Sequence, residues 1–334
     1  MEQGKAASVE QEDIRTEGDQ GAPPWLSEDR LWHTYRWFLR RRFGGTVYRA
    51  SIDAGFTCPN VDGRVARGGC VYCDSRSFTP IDRRAYRAVE EQLQRQMEVL
   101  GRRRDRGTYL AYFQAATNTY TSTEQLRQMW EAATRPAEVH GIIVGTRPDC
   151  VPDDVLDLLE EFAGRMYVGV EYGLQTIHDR SLRWMNRGHD AATFFDAVER
   201  SRGRGLDVSA HVILGLPGED QGDMLATARA LGACGIDGVK IHNLHVTRHT
   251  ALETSYRKGD ITVPDEQAYV EMLIPFLEHL PPEMVVHRVM GDCPADYLVA
   301  PDWILHKAAF LQRLRAEMRR RQTFQGRLHA GRTS

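Results

Sequence analysis

No run of 18 apolar residues occurs in this chain of 334 residues, so no segment is expected to span a bilayer and no membrane is expected among its partners. The polar, acidic N-terminus has no apolar core, which excludes a signal peptide and makes a cytoplasmic location the expectation. Charge of one sign is not in excess. The net value of −3 gives no global pull toward nucleic acid or membrane. No fixed-period repeat is found. No Gly-Lys-Ser/Thr follows Gly215-Leu216-Pro217-Gly218, so that run reads as a tight strand-end turn rather than a phosphate loop. Cysteine is scarce, with six residues, and a cytosolic setting makes these metal ligands or buried thiols rather than disulfides.

The 42% of hydrophobic residues suits one sizeable core, either a barrel with additions or two smaller domains. From about residue 46, short apolar runs alternate with helical patterns. The expected strands are Val47–Ile52, Tyr109–Phe113, Gly141–Val144, Met166–Val170, Val208–Leu214 and Gly238–Ile241, each bounded by Gly, Pro, Asp or Thr. Their near-continuous hydrophobicity fits a parallel sheet covered on both faces. Helices are expected over Ala85–Leu100, after the Ser122/Gln125 capping box, after Pro152, over Ala191–Arg202 and over Met224–Cys234. Six such units point to an α/β fold, a partial (β/α)6 TIM-like barrel. Asp265–Leu280, an added strand within Glu283–Val289, and Trp303–Arg321 make a C-terminal α/β extension packed on it. The expected division is a disordered segment 1–26, an N-terminal helical segment 27–46, a core barrel 47–249, an extension 250–322 and a basic tail 323–334.

In such a barrel the reactive groups gather on loops at the carboxyl ends of the strands. Cys58, Cys70 and Cys73 follow the first strand, and no fourth cysteine accompanies them. A closed zinc site wants four N/S ligands, whereas a [4Fe-4S] cluster held by three thiolates leaves one iron open to a substrate. Zinc stays in contention through His178, His211 or His242 as a fourth ligand.

Eleven and two residues separate the three cysteines, and the aromatic Tyr72 precedes the last. This loop resembles the cluster loop of radical S-adenosylmethionine (SAM) enzymes. Glu171-Tyr172-Gly173-Leu174-Gln175-Thr176, Asn186-Arg187-Gly188-His189 and Ile213-Leu214-Gly215-Leu216-Pro217-Gly218-Glu219 resemble the branch containing the Elongator catalytic subunit and the oxygen-independent coproporphyrinogen oxidase. Cys58-Pro59-Asn60, Tyr112-Phe113-Gln114-Ala115, Thr146-Arg147-Pro148-Asp149 and Ala300-Pro301-Asp302-Trp303 are similar to a bacterial family of Elongator-like radical SAM proteins without an assigned substrate. The resemblance covers roughly Val47 to Gly326.

What the resemblance implies is a division of labour. Cys58, Cys70 and Cys73 would bind three irons of a [4Fe-4S] cluster, and the fourth iron would chelate SAM. One electron from a low-potential donor of flavodoxin or ferredoxin type would cleave SAM, and the 5′-deoxyadenosyl radical would abstract hydrogen from a substrate. Ala115, Ala116 and Thr117 align with the stretch that meets the methionine amino group, and Gln175 and Arg187 with polar SAM contacts. His211 aligns with a ribose contact, and the adenine falls against Tyr72 and the backbone near Asn243. Gly145 stands where several relatives carry a glutamate, and Glu171 is the candidate to supply that carboxylate. No catalytic residue is assigned beyond the cluster and SAM. Nothing resembles the acetyltransferase half of the Elongator subunit, and no second Cys-rich motif suggests an extra cluster.

Blander expectations stand beside these. Cys234 reads as packing, while Cys150 and Cys293 lie near the barrel mouth as buried thiols or substrate-side groups. Trp32, Tyr35, Trp37 and Phe38 read as a packing helix over Ser27–Arg42. Lys240 and His242 project from one side of the sixth strand toward the mouth or simply finish it. Seven arginines between Gln312 and Ser334 face one acid, Glu317, and read as a solvated face or a phosphate-contacting patch. The substrate is left open between RNA, a small metabolite and a protein side chain. The alternatives to an enzyme are a non-catalytic iron–sulfur redox or sensor protein and a zinc-stabilised binding module.

Overall fold

The computed structural model describes residues 22–74, 77, 88–101 and 107–330. Its centre is a parallel sheet of β1 (Val47–Ile52), β2 (Thr108–Phe113), β3 (Val139–Thr146), β4 (Tyr167–Gln175), β5 (Asp207–Leu214) and β6 (Gly238–Asn243) in sequential order. A short β7 (Val246–Thr247) leaves this sheet. The next strand, β8 (Val285–Arg288), returns to it and pairs parallel to β6, while β9 (Leu298–Ala300) pairs antiparallel to β7. The expected added strand is therefore a seventh member of the main sheet, and the architecture is a half-barrel. All nine positions of β4 are buried, as a strand covered on both faces requires.

Helices α2 (Val89–Gly101), α3 (Thr123–Thr134), α4 (Asp153–Ala163), α5 (Asp179–Trp184), α6 (Ala191–Ser201) and α7 (Gln221–Cys234) fill the crossovers. They bury one apolar stripe each against the outer face, where Trp130, Phe162, Phe194 and Leu231 are wholly buried. Then follow α8 (Ala251–Lys258), α9 (Glu266–His279) and α10 (Lys307–Arg320). The capping box expected at Ser122 is half formed: its hydroxyl accepts from the Gln125 N–H at 3.4 Å.

The ends differ from expectation. The N-terminal helix is confined to α1 (Tyr35–Phe43), because Thr34 caps it and also bridges Val286 of β8. Order begins before residue 26: Trp25 is buried and its Nε1 donates to the Pro282 carbonyl at 2.7 Å. Residues 1–21 lie outside the described residues. The tail is packed at its start, since Thr323 and Gln325 are buried. The expected helix from Trp303 is interrupted by a 3-10 turn over Asp302–His306 before α10 begins. Arg313, Arg319, Arg320, Arg321 and Arg327 are matched to Glu266, Asp29, Glu317, Glu271 and Glu278, so these arginines form an internal ion-pair surface. Arg332 lies outside the described residues.

Candidate functional site

The loops leaving the carboxyl ends of β1 to β6 and β8 surround one cavity of about 830 Å³. Its wall includes all three cysteines of the loop after β1, together with Tyr72, Ala115, Ala116, Thr117, Glu171, Gln175, Arg187, His211 and Asn243. Each of these residues thus lines the same space, which right-handed crossovers bring about by placing each strand end on one rim.

The cysteine loop is braced from the segment after α5. Val71 N–H donates to the Met185 carbonyl at 3.0 Å, and Gly69 N–H to the Asn60 carbonyl at 2.9 Å. Two donors meet one sulfur: Asn60 Nδ2 lies 3.4 Å and Arg187 Nη1 3.5 Å from Cys70 Sγ. Asn60 also reaches the Asn186 carbonyl, and Arg187 Nη2 donates to the Gly173 carbonyl at 2.8 Å. Arg147 supports this arm, donating to the Arg187 carbonyl and pairing with Asp149, each at 2.8 Å. Cys73 lines the cavity and is exposed. Desolvation by the protein around its sulfur, then the neighbouring Cys70 and Cys58, pushes its thiol up to about 12.

Beyond β2 the backbone enters the left-handed region at Ala115 (φ 75°) and Ala116 (φ 56°), and β4 ends in the same region at Gln175 (φ 76°). Non-glycine residues rarely hold such angles, and strain of this kind concentrates at binding sites. Asn118 fixes the first turn, its Nδ2 donating to the Ala115 and Gly145 carbonyls at 3.0 and 2.8 Å. Thr117 Oγ1 is buried without a hydrogen-bond partner among the described residues. Asn243 Oδ1 accepts from the Gly291 N–H at 2.9 Å.

Gly145 and Glu171 are direct neighbours across β3 and β4. Glu171 is fully buried, and four groups converge on it. Oε2 accepts from Tyr112 OH, Lys240 Nζ and His211 Nε2, each at 2.7 Å, and His287 Nδ1 lies 3.4 Å from Oε1. Burial alone would raise this carboxyl, but Lys240, then His211 and His287, outweigh it and hold Glu171 well below the usual range. Burial, with Arg288 and Arg49 nearby, brings Lys240 down to about 7, and burial with Lys240 takes His211 to about 4. The sequence did not single out Tyr112, His287 or Arg288 as site residues. Tyr112 sits inside an apolar run. A bulge in β8 turns both His287 and Arg288 toward the interior, because the register passes from Val239↔Val286 to Lys240↔Arg288.

Lys240 and His242 both line the cavity, as their alternation along β6 indicated. Cys293 lines it too, whereas Cys150 is buried beside it and its thiol is pushed up to about 12, by burial and then Asp149. His178 bonds to Asp223 and does not reach the cavity, and His211 is held by Glu171. Among the described residues no three His, Cys, Asp or Glu side chains converge as on a single metal ion.

The Radical SAM superfamily model matches residues 61–231, and the Radical_SAM C-terminal domain model matches residues 236–320. The chain belongs to the radical SAM superfamily. YtqA of Bacillus subtilis (strain 168), an uncharacterized protein, is 37% identical over 91% of this chain and 94% of its own length. YhcC of Escherichia coli (strain K12) is 40% identical over 79% of this chain and 85% of its own. In fold, this radical SAM enzyme is similar to the archaeal Methanocaldococcus infernus Elp3. The TM-score is 0.64 at 16% identity, covering 84% of this chain and 64% of that one. The family implies a [4Fe-4S] cluster and SAM. Among the described residues no helix is long and apolar enough to cross a membrane.

Proposed function

We propose that Cys58, Cys70 and Cys73 hold a [4Fe-4S] cluster whose fourth iron takes SAM, and that a substrate in the same cavity loses a hydrogen atom to the radical so formed. The observation that carries this reading is the shared cavity: three sulfurs of one loop open into it, with N–H donors from Asn60 and Arg187 directed at Cys70. Donors of this kind stabilise a thiolate and the added charge of a reduced centre, so the residues fit the group.

The chain's own residues then have distinct tasks. Arg187 carries a fixed positive charge beside the cysteine loop. The turn at Ala115 and Ala116 exposes backbone groups to a ligand's polar end, without a bulky side chain in the way. Gln175 and Thr117 offer further polar atoms, and Tyr72 and Asn243 frame the opposite wall. Glu171 fixes His211 through Nε2, which orients that ring toward the cavity. Electrons would come from a low-potential flavodoxin or ferredoxin. The loop offers an approach where Val61 and Val65 are 58% and 46% exposed. RNA is retained among the substrates on the motif resemblance to the Elongator branch alone, because the C-terminal arginines are internally paired.

Anaerobic reconstitution with iron and sulfide, followed by dithionite and SAM, is expected to yield 5′-deoxyadenosine and methionine. The Cys70→Ala protein should fall to background. Turnover no greater in the wild type than in Cys70→Ala, with a full cluster present, would overturn the reading.

A further inference from the structure

Resting on the reading above, we propose that the inner wall of this cavity binds an anionic group of the substrate, a carboxylate or a phosphate, between Arg288, His242 and His245. All three line the cavity. Arg288 is turned inward by the bulge in β8. In an uninterrupted strand it would follow Val286 toward the outer core. Among the described residues no carboxylate or other acceptor lies within hydrogen-bonding distance of its guanidinium.

The charge around it is unbalanced. Arg49, stacked between Tyr35 and Tyr112, and Lys240, the direct neighbour of Arg288 across β6, are the nearby cations. Glu171 is the buried acid, and Tyr112, Lys240, His211 and His287 already occupy it. Asp292 sits at the rim, largely exposed and paired with Lys307 at 3.6 Å. Burial, with Arg49 adding to it, lowers the affinity of Arg288 for its own proton, and the opposing pull of Tyr112, Asp292 and Glu171 does not make up the difference.

A second observation points the same way. His242 Nε2 is buried and has no hydrogen-bond partner among the described residues. Its ring stands 5.5 Å from that of His211, and Arg288 and His245 are near enough to lower its proton affinity further. A guanidinium fork beside neutral imidazole N–H groups matches the oxygens of a carboxylate or phosphate. The same cavity must also hold the cluster and SAM, so a small anionic moiety suits the space.

The test titrates reconstituted, SAM-saturated protein with inorganic phosphate and, separately, acetate at constant ionic strength, with chloride as control and thermal unfolding as readout. A saturable rise in Tm with either anion supports the inference, and the effective anion tells phosphate from carboxylate. Arg288→Met should weaken the apparent affinity at least about tenfold. Without added anion it should unfold about 2–3 °C above the wild type, because an uncompensated buried charge is gone. If that variant does not fold, Arg288→Lys and His242→Gln replace it, and each should weaken the response. No response in the wild type, an equal response in the variants, or a response that SAM saturation abolishes would overturn the inference, the last by assigning the site to the carboxylate of SAM. Failure of the cluster reading shows separately, as wild-type protein that forms no 5′-deoxyadenosine.

Discussion

Glu171 and Lys240 show how single residues set the site's energetics. Both are buried, and each is the other's ionic partner at 2.7 Å. Lys240→Met would leave an anion buried with only neutral donors, which costs roughly 3–5 kcal/mol. Adding Glu171→Gln should recover a large part of that loss, since the remaining amide still bonds to Tyr112 and the histidines. Urea unfolding of the two singles and the double measures the coupling, and additive losses would show that the pair is not coupled. The three cysteines could be placed on the rim because they follow the first strand directly, whereas Arg187 came only from the motif resemblance; all four line the cavity. Arg288 was not, because its inward direction depends on one extra residue in β8 that no alternation pattern reveals.

At the scale of elements, β3 separates two glycines of different kinds. A Cβ at Gly141 would stand 2.9 Å from the Tyr167 carbonyl carbon and closer still to its oxygen, on a neighbouring strand that cannot withdraw. Gly141→Ala should therefore cost about 3 kcal/mol or more. A Cβ at Gly145 meets only the Phe113 carbonyl oxygen, at 3.4 Å, so Gly145→Ala should stay within about 1 kcal/mol of the wild type. Thermal unfolding of both variants checks the contrast, and equal losses would refute it. The strands themselves were readable as apolar runs between turn residues, and β1 agrees to the residue. Their ends were not: β4 continues five residues past Val170, to Gln175, through polar positions that a surface strand would not bury. The first helix was over-extended because Leu31 and Trp32 lie within the stretch read as helical from Ser27 yet pack as an irregular arm.

At the scale of the whole molecule, the half-barrel is closed at its amino end by chain from outside it. Helix α1 packs against both edge strands, β1 and β8, and its Tyr35 stacks on His287 with ring centroids 3.9 Å apart. The arm before α1 and the segment after α10 meet at Gln325, which is fully buried. Its Oε1 accepts from the His33 N–H at 2.9 Å, and its Nε2 donates to the Pro281 and Met284 carbonyls at 2.7 and 2.8 Å. No sequence pattern foretells this contact, because 292 positions separate Gln325 from His33 and neither lies in a periodic run. Gln325→Ala would leave a buried N–H and two carbonyls without that partner, at about 1–3 kcal/mol for each fully stranded group and less where other bonds remain. A net loss of about 2–4 kcal/mol is expected, seen as a lower Tm. Because α1 closes the floor on which Glu171 and His287 sit, the loosened arm should also speed hydrogen exchange at Tyr35–Leu39 more than at β3 or β4. Uniform acceleration over the whole sheet, or none, would show that Gln325 does not couple the chain ends to the floor of the cavity.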